Sequence, residues 1–257
     1  RLVRLLGKEK SMNERNWFMF QAPFKNNFLC LYAQEISKVI KAARGKAKKC
    51  LVLDCDGTLW GGIVGEDGLE NIKLGTNGYE ERIFLAFQKN LLSLLERGIL
   101  ITLCSKNNES DVWEVLESHP SCILKKEHLS AWKINWQDKA TNIKELSLEL
   151  NLGLDSFVFI DDSPRECEAV KQILPEVEVV QVPEKLHQFP QILFESGLFD
   201  TLSVTTEDGK RTQLYHEDSA RKAHHIKTGD LEAYLESLEM VATIHTIKEA
   251  EIQRVSQ

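Results

Sequence analysis

Four short apolar runs punctuate the middle of the chain. They are Cys50-Leu51-Val52-Leu53, Ile99-Leu100-Ile101-Thr102-Leu103-Cys104, Phe157-Val158-Phe159-Ile160 and Val177 to Val182. Their near-continuous hydrophobicity predicts strands buried on both faces, near 50–54, 100–104, 156–161 and 177–182, with a possible short strand at 122–124. Between them, apolar residues recur at helical spacing, which predicts helices near 79–97, 109–118, 141–150 and 164–174. Strands alternating with helices imply an α/β fold: a three-layer sandwich with a parallel sheet covered on both faces. Before this core, Phe28, Leu31, Tyr32, Ile36, Val39 and Ile40 form a helical stripe expected to pack on it. After it, 230–238 reads as a helix and Val241 to Ile247 as a short strand. Three zones result: an N-terminal helical extension (1–48), a catalytic core (49–184) and a mostly helical C-terminal extension (185–257).

The first strand ends in Asp54-Cys55-Asp56-Gly57-Thr58. Side chains alternate along a strand, so Asp54 and Asp56 share one face and Cys55 takes the other. Two carboxylates this close repel unless a cation or a shared proton separates them. Mg²⁺ suits such an oxygen-only site and leaves room for water and phosphate. One carboxylate then attacks phosphorus while the other handles the proton. The same pentapeptide also fits a plain strand end followed by an Asp-Gly turn.

Three further segments favour the chemical reading. The second strand ends at Ser105-Lys106-Asn107, where Ser105 can donate to a phosphoryl oxygen or cap the helix that follows; Asn107 or Asn108 would cap it equally well. In Asp138-Lys139-Ala140-Thr141-Asn142, Lys139 opens a helix, where the helix dipole disfavours a cation. It is thus either drawn there by an anion or an ordinary solvated lysine. The last strand ends in Asp161-Asp162-Ser163-Pro164, and Ser163, Pro164 and Glu166 read as a capping box with proline at the first helical position. Capping explains Ser163 and Glu166 but not two adjacent acids, which read as metal ligands.

These four blocks resemble the haloacid dehalogenase (HAD) superfamily. The long block Leu53 to Gly68, with Cys104-Ser105-Lys106-Asn107, Trp136-Gln137-Asp138-Lys139-Ala140-Thr141-Asn142 and Phe159-Ile160-Asp161-Asp162-Ser163-Pro164, is similar to its FkbH-like group, subfamily IIIC. Gly57 stands where that group usually shows Asn. The resemblance implies a Rossmannoid sheet of order 3-2-1-4-5, with Asp54 as nucleophile and Asp56 as general acid/base. Ser105, Lys106, Asn107, Gly57, Thr58 and Lys139 would hold phosphate. Mg²⁺ would sit among Asp54, Asp56, Asp161 and Asp162. FkbH-like domains take the glyceryl unit of 1,3-bisphosphoglycerate, remove its phosphate and load it as a thioester on the phosphopantetheine arm of an acyl carrier protein in polyketide biosynthesis. Such a domain often belongs to a larger synthase, in keeping with a chain that begins without methionine and stops in a polar helical pattern. A stand-alone Mg²⁺ phosphatase of small molecules or phosphoproteins is the alternative. A non-catalytic docking module would be expected to lack a carboxylate or Lys139, and all are present.

A thioester relay would need a thiol beside Asp54. Cys55 is the candidate and Cys104 the second, although alternation turns both from the phosphate pocket toward core packing. The six cysteines show no C-x-x-C pair, which argues against zinc or a disulfide framework and for reduced thiols in the cytoplasm. Net charge is −7 with no basic stripe, which argues against nucleic acid. No apolar stretch approaches the ~20 residues that span a bilayer. An acidic carrier would need a local basic patch, either Lys41, Arg44, Lys46, Lys48 and Lys49 or Lys125, Lys126 and Lys133; solvated faces explain both equally.

Gly61, Gly62, Gly65 and Gly68 do not make a phosphate loop, since no G-K-[S/T] follows. Ile63-Val64 and Asn71 to Leu74 around Glu66-Asp67-Gly68 fit a hairpin flap, a minimal cap that leaves the site open to a macromolecule. Trp132 and Trp136 precede Lys139 as packing residues or a substrate wall. The seven histidines, His224-His225 among them, avoid all four blocks.

Overall fold

The computed structural model describes residues 2–45, 47–202, 211 and 214–215. The chain divides into two compact units, Arg1–Gln213 and Leu214–Gln257, and the description that follows concerns the first. The helix expected at 230–238, the strand expected at 241–247 and His224-His225 lie outside the described residues.

In chain order the helices are α1 (Leu2–Leu6), α2 (Lys8–Ser11), α3 (Glu14–Phe20), α4 (Asn26–Ala43), α5 (Val64–Asp67), α6 (Tyr79–Glu96), α7 (Glu109–Ser118), α8 (Lys139–Glu149), α9 (Pro164–Ile173) and α10 (Ile192–Glu195). The strands are β1 (Cys50–Leu53), β2 (Leu100–Ser105), β3 (Leu129–Ile134), β4 (Phe157–Asp161) and β5 (Glu178–Gln181). They form one five-stranded sheet of order β3-β2-β1-β4-β5, parallel throughout. This is the expected HAD-like order.

Alternation divides the core. Leu51, Leu53, Ile101, Leu103, Val158 and Ile160 join α6 and α7 in one apolar cluster, where Phe87 stacks on Phe189 at 4.0 Å between ring centroids. Cys50, Val52, Thr102, Cys104, Phe157 and Phe159 have the opposite parity and are also buried. Here α8 packs on α9, and both contact the sheet. Full burial of β1, β2 and β4 explains their unbroken apolar runs.

Three local expectations need correction. The third strand lies at Leu129–Ile134, not 122–124. Residues 122–124 form no strand, and the buried Gln88 takes two of their hydrogen bonds: its Oε1 accepts Ile123 N at 3.1 Å and Leu124 N at 3.2 Å. The flap is not built from two strands. A single antiparallel bridge between Gly61 and Lys73 closes it, and the short α5 fills it. Finally, α4 does not bury its stripe: Phe28 is buried, whereas Leu31, Tyr32, Ile36, Val39 and Ile40 are exposed. Phe28 stacks instead on Phe24, 4.8 Å away.

Candidate active site

The carboxyl ends of β1, β2 and β4 and the start of α8 converge on one crevice, where the strand order reverses on either side of β1. Asp54 follows β1, and its backbone N–H donates to Ile160 O at 3.0 Å. Its side chain has the parity of Val52, so it faces α8. There the Lys139 ammonium lies 3.0 Å from Asp54 Oδ1 and 2.5 Å from Asp161 Oδ2. Lys139 occupies the first turn of α8 because Asp138 caps that helix, accepting Thr141 N at 2.8 Å. The anions drawn on to explain a lysine at a helix start are thus Asp54 and Asp161. Burial by itself would lower the Lys139 ammonium, but Asp54 and Asp161 outweigh it and hold the group above its usual range.

Asp54, Asp161 and Asp162 can each bring a carboxylate oxygen to within 4.8 Å of the others. Three hard oxygen donors beside open solvent fit Mg²⁺. The pair at the end of β4 splits its work. Asp161 is sealed, with Oδ2 on Lys139 and Oδ1 accepting Ser163 N at 2.8 Å. Asp162 is exposed and offers the freer carboxylate. Burial and then the Asp54 charge raise Asp161 to about 6, against the pull of Lys139. Partial burial and Asp54 raise Asp162 as well.

The Asp56 side chain stands apart from this cluster of three carboxylates. Its Oδ1 accepts Trp60 Nε1 at 2.8 Å and Val64 N at 3.1 Å, and its Oδ2 accepts Asn107 Nδ2 at 2.8 Å. Held by three donors, it suits proton transfer rather than side-chain metal binding. Burial raises its carboxyl, opposed by the Val64 and Trp60 hydrogen bonds. Asn107, an expected phosphate ligand, donates to Asp56 and orients it. Trp60 and Val64 belong to the flap segment, and their part in the site was not foreseen. The spacing Asp56-x₃-Trp60, one turn apart, was the available signal.

The remaining expected phosphate ligands separate. Ser105 ends β2, buried beside Cys55. Thr58 is fully buried, with Oγ1 lacking a hydrogen-bond partner. Gly57 has φ 68°, and a Cβ there would press on the Asp162 carboxylate. Lys106 Nζ pairs with Glu166 Oε1 at 2.9 Å. Cys55 is wholly buried in the α6–α7 cluster. Burial and then Asp54 push its thiol well above the ordinary range, so its surroundings oppose the thiolate that a relay needs. Cys104, buried below Lys139, is pushed up to about 12 by burial. Trp132 packs edge-on to Trp113 at 5.0 Å between ring centroids, while Trp136 stands exposed before Lys139.

Lys48 and Lys49 lie at the opposite, amino end of β1, where Lys48 Nζ donates to Asp155 O at 2.7 Å. Lys126 covers Trp113 at 4.6 Å, and Lys133 bridges Glu145 and Glu149 at 3.2 and 3.3 Å.

This fold and this acidic crevice define a HAD-type phosphatase domain. Residues 49–178 match the NLI interacting factor-like phosphatase family, to which the chain belongs. Among solved structures, the N-terminal part of a Bacteroides fragilis protein, containing a phosphatase domain complexed with Mg, is 36% identical with a TM-score of 0.73, over 79% of this chain and 54% of that one. The chain thus spans about half of that relative. An uncharacterized Corynebacterium glutamicum protein is 11% identical with a TM-score of 0.41, over 61% of this chain and 100% of that one. A Bacteroides thetaiotaomicron HAD family enzyme in complex with magnesium and inorganic phosphate is 17% identical with a TM-score of 0.36, over 52% and 94%. No curated protein matches the chain. Among the described residues, no helix is long and apolar enough to cross a membrane.

Proposed function

We propose that this chain is a Mg²⁺-dependent phosphohydrolase working through Asp54. Asp54 attacks phosphorus, the bond to the leaving group breaks, and Asp56 supplies the proton that the leaving oxygen takes up. Water then cleaves the aspartyl phosphate and returns a proton to Asp56. Lys139 holds Asp54 in place and offsets charge gathered on the phosphoryl oxygens. Mg²⁺, held by Asp54 and Asp162 with Asp161 beside them, would neutralise phosphate charge. The observation that carries this reading is the Lys139 ammonium seated between Asp54 and Asp161. The test is phosphate release from acetyl phosphate and p-nitrophenyl phosphate. We expect release with Mg²⁺ that chelation stops and Asp54→Asn abolishes; Mg²⁺-independent release, or release that survives Asp54→Asn, would overturn the reading.

A narrower reading is glyceryl transfer from 1,3-bisphosphoglycerate to the arm of an acyl carrier protein. The block Leu53 to Gly68 favours it, as does a crevice whose only cover from the β1–β2 connection is the small flap with α5. With Cys55 sealed in the core, transfer would go directly to the carrier thiol. A glyceryl mass gain on a pantetheinylated carrier protein, absent with Asp54→Asn, would support this reading over simple hydrolysis.

A further inference from the structure

The segments at the ends of β1 and β4 carry four carboxylates, Asp54, Asp56, Asp161 and Asp162, while the ammoniums near them in the motifs are Lys106 and Lys139. Lys139 is committed: it is 4% exposed and lies between Asp54 and Asp161. Lys106 is not. Its side chain is 35% exposed and that of its partner Glu166 is 18% exposed. The pair spans two strand ends, since Lys106 follows Ser105 of β2 and Glu166 lies in the first turn of α9, just beyond β4. The Lys106 charge also reaches Asp138, whose carboxyl is held low chiefly by Thr141 and further by Lys106. Lys106 thus lies at the rim between the α8 and α9 entrances.

Glu166 is available to Lys106 for a specific reason. In a capping box its carboxylate would reach back to the N–H of Ser163. Here that N–H donates to Asp161 Oδ1 at 2.8 Å. Ser163 still caps from its own side, accepting Glu166 N at 3.4 Å, but the Glu166 carboxylate is displaced from the box and turns to Lys106. The Lys106 end of this pair is about one-third open to solvent, so an entering anion can reach the ammonium and compete with Glu166, at the cost of unpairing a carboxylate that is mostly shielded.

We infer that Lys106 is the specificity-determining cation for a second anionic group on the substrate, and that Glu166 is its resting partner, displaced when that group binds. The substrate class is an organic phosphate bearing a further carboxylate or phosphate. The inference rests on the phosphohydrolase reading above, and its test separates the two.

The probes are phosphonoacetate, which carries a second anion, and methylphosphonate, which does not. Calorimetry with Mg²⁺ measures both for the whole chain and its variants, with thermal melting to confirm the fold. We expect wild type to prefer phosphonoacetate by about tenfold, the size of a hydrogen bond between charged groups. Lys106→Ala should erase that preference and Lys106→Arg should restore most of it. Glu166→Gln should raise the preference a few-fold, because the competing carboxylate charge is gone. An unchanged preference in Lys106→Ala, or no gain in Glu166→Gln, overturns the inference while leaving the phosphohydrolase reading intact. Failure of both probes to bind with Mg²⁺ overturns that reading and the inference with it.

Discussion

Gly57 and Asp162 are in direct opposition: a Cβ on Gly57 would stand 2.3 Å from Asp162 Oδ2. Gly57 also has φ 68°, in the left-handed region. Gly57→Ala therefore combines backbone strain with displacement of the freest carboxylate in the crevice. We expect a stability loss of about 1–2 kcal/mol and Mg²⁺ binding weakened about tenfold. Denaturant melts and calorimetric titration measure the two effects separately. Unchanged Mg²⁺ affinity would remove Asp162 from the metal site.

Trp60 donates to the Asp56 carboxylate and lowers it against the upward push of burial. Trp60→Phe removes that donor, so the Asp56 carboxyl should rise further. As general acid, Asp56 must be protonated, so the falling alkaline limb of kcat should move to higher pH. The lost hydrogen bond should cost about 1–3 kcal/mol, since Asp56 is partly buried. A pH–rate profile of both proteins reads the shift; a limb that stays in place would assign the proton transfer to another group.

The carboxyls of Asp161, Asp56 and Asp162 are all raised, Asp161 to about 6. A carboxyl raised in the folded state contributes stability fully below its unfolded pKa and loses it as pH rises through the folded value. Metal-free protein should thus lose this contribution between about pH 4 and the Asp161 value. Mg²⁺ binds the ionised form, so its stabilising effect should grow across the same interval. We expect the Mg²⁺-induced rise in Tm to be close to nil near pH 4.5 and several degrees near pH 7.5. An equal rise at both pH values would disconnect metal binding from these acids.

Cys55 is buried with its thiol pushed up, whereas Cys30 is exposed. Brief alkylation of native protein near pH 8 should label Cys30 and spare Cys55, as peptide mass spectrometry would read. Cys55→Ala should retain phosphate release within about threefold, at a cavity cost of about 1–2 kcal/mol. Rapid labelling of Cys55, or loss of turnover in a folded variant, would return that thiol to the mechanism.

The chemistry was legible where local pattern and chemistry coincide. An apolar run that ends in paired acids appears at Asp54 and again at Asp161-Asp162. The period of two set Cys55 on the face opposite Asp54, as found. Helix α7 begins and ends where its pattern places it, at Glu109 and Ser118. The third strand escaped notice because Leu129-Ser130-Ala131-Trp132-Lys133-Ile134 is a half-covered edge strand without an unbroken apolar run. The more apolar 122–124 fits a strand by pattern, but Ile123 N and Leu124 N are taken by Gln88 and Cys122 N by His119 O.

By itself the sequence determined four of the five strands, the helices that cover the sheet and the acidic residues at the strand ends. These follow from spacing within a few residues, where backbone geometry leaves few choices. Tertiary structure alone decided how those residues divide the work. Asn107 reaches Asp56 across 51 positions, Lys139 reaches Asp161 across 22 and Lys106 reaches Glu166 across 60. Such partners are chosen by the parallel register that brings β1, β2 and β4 side by side, and by competition for single donors such as Ser163 N. A capping box read from the sequence becomes an ion pair in the fold because Asp161, fixed by its strand, reaches that N–H first.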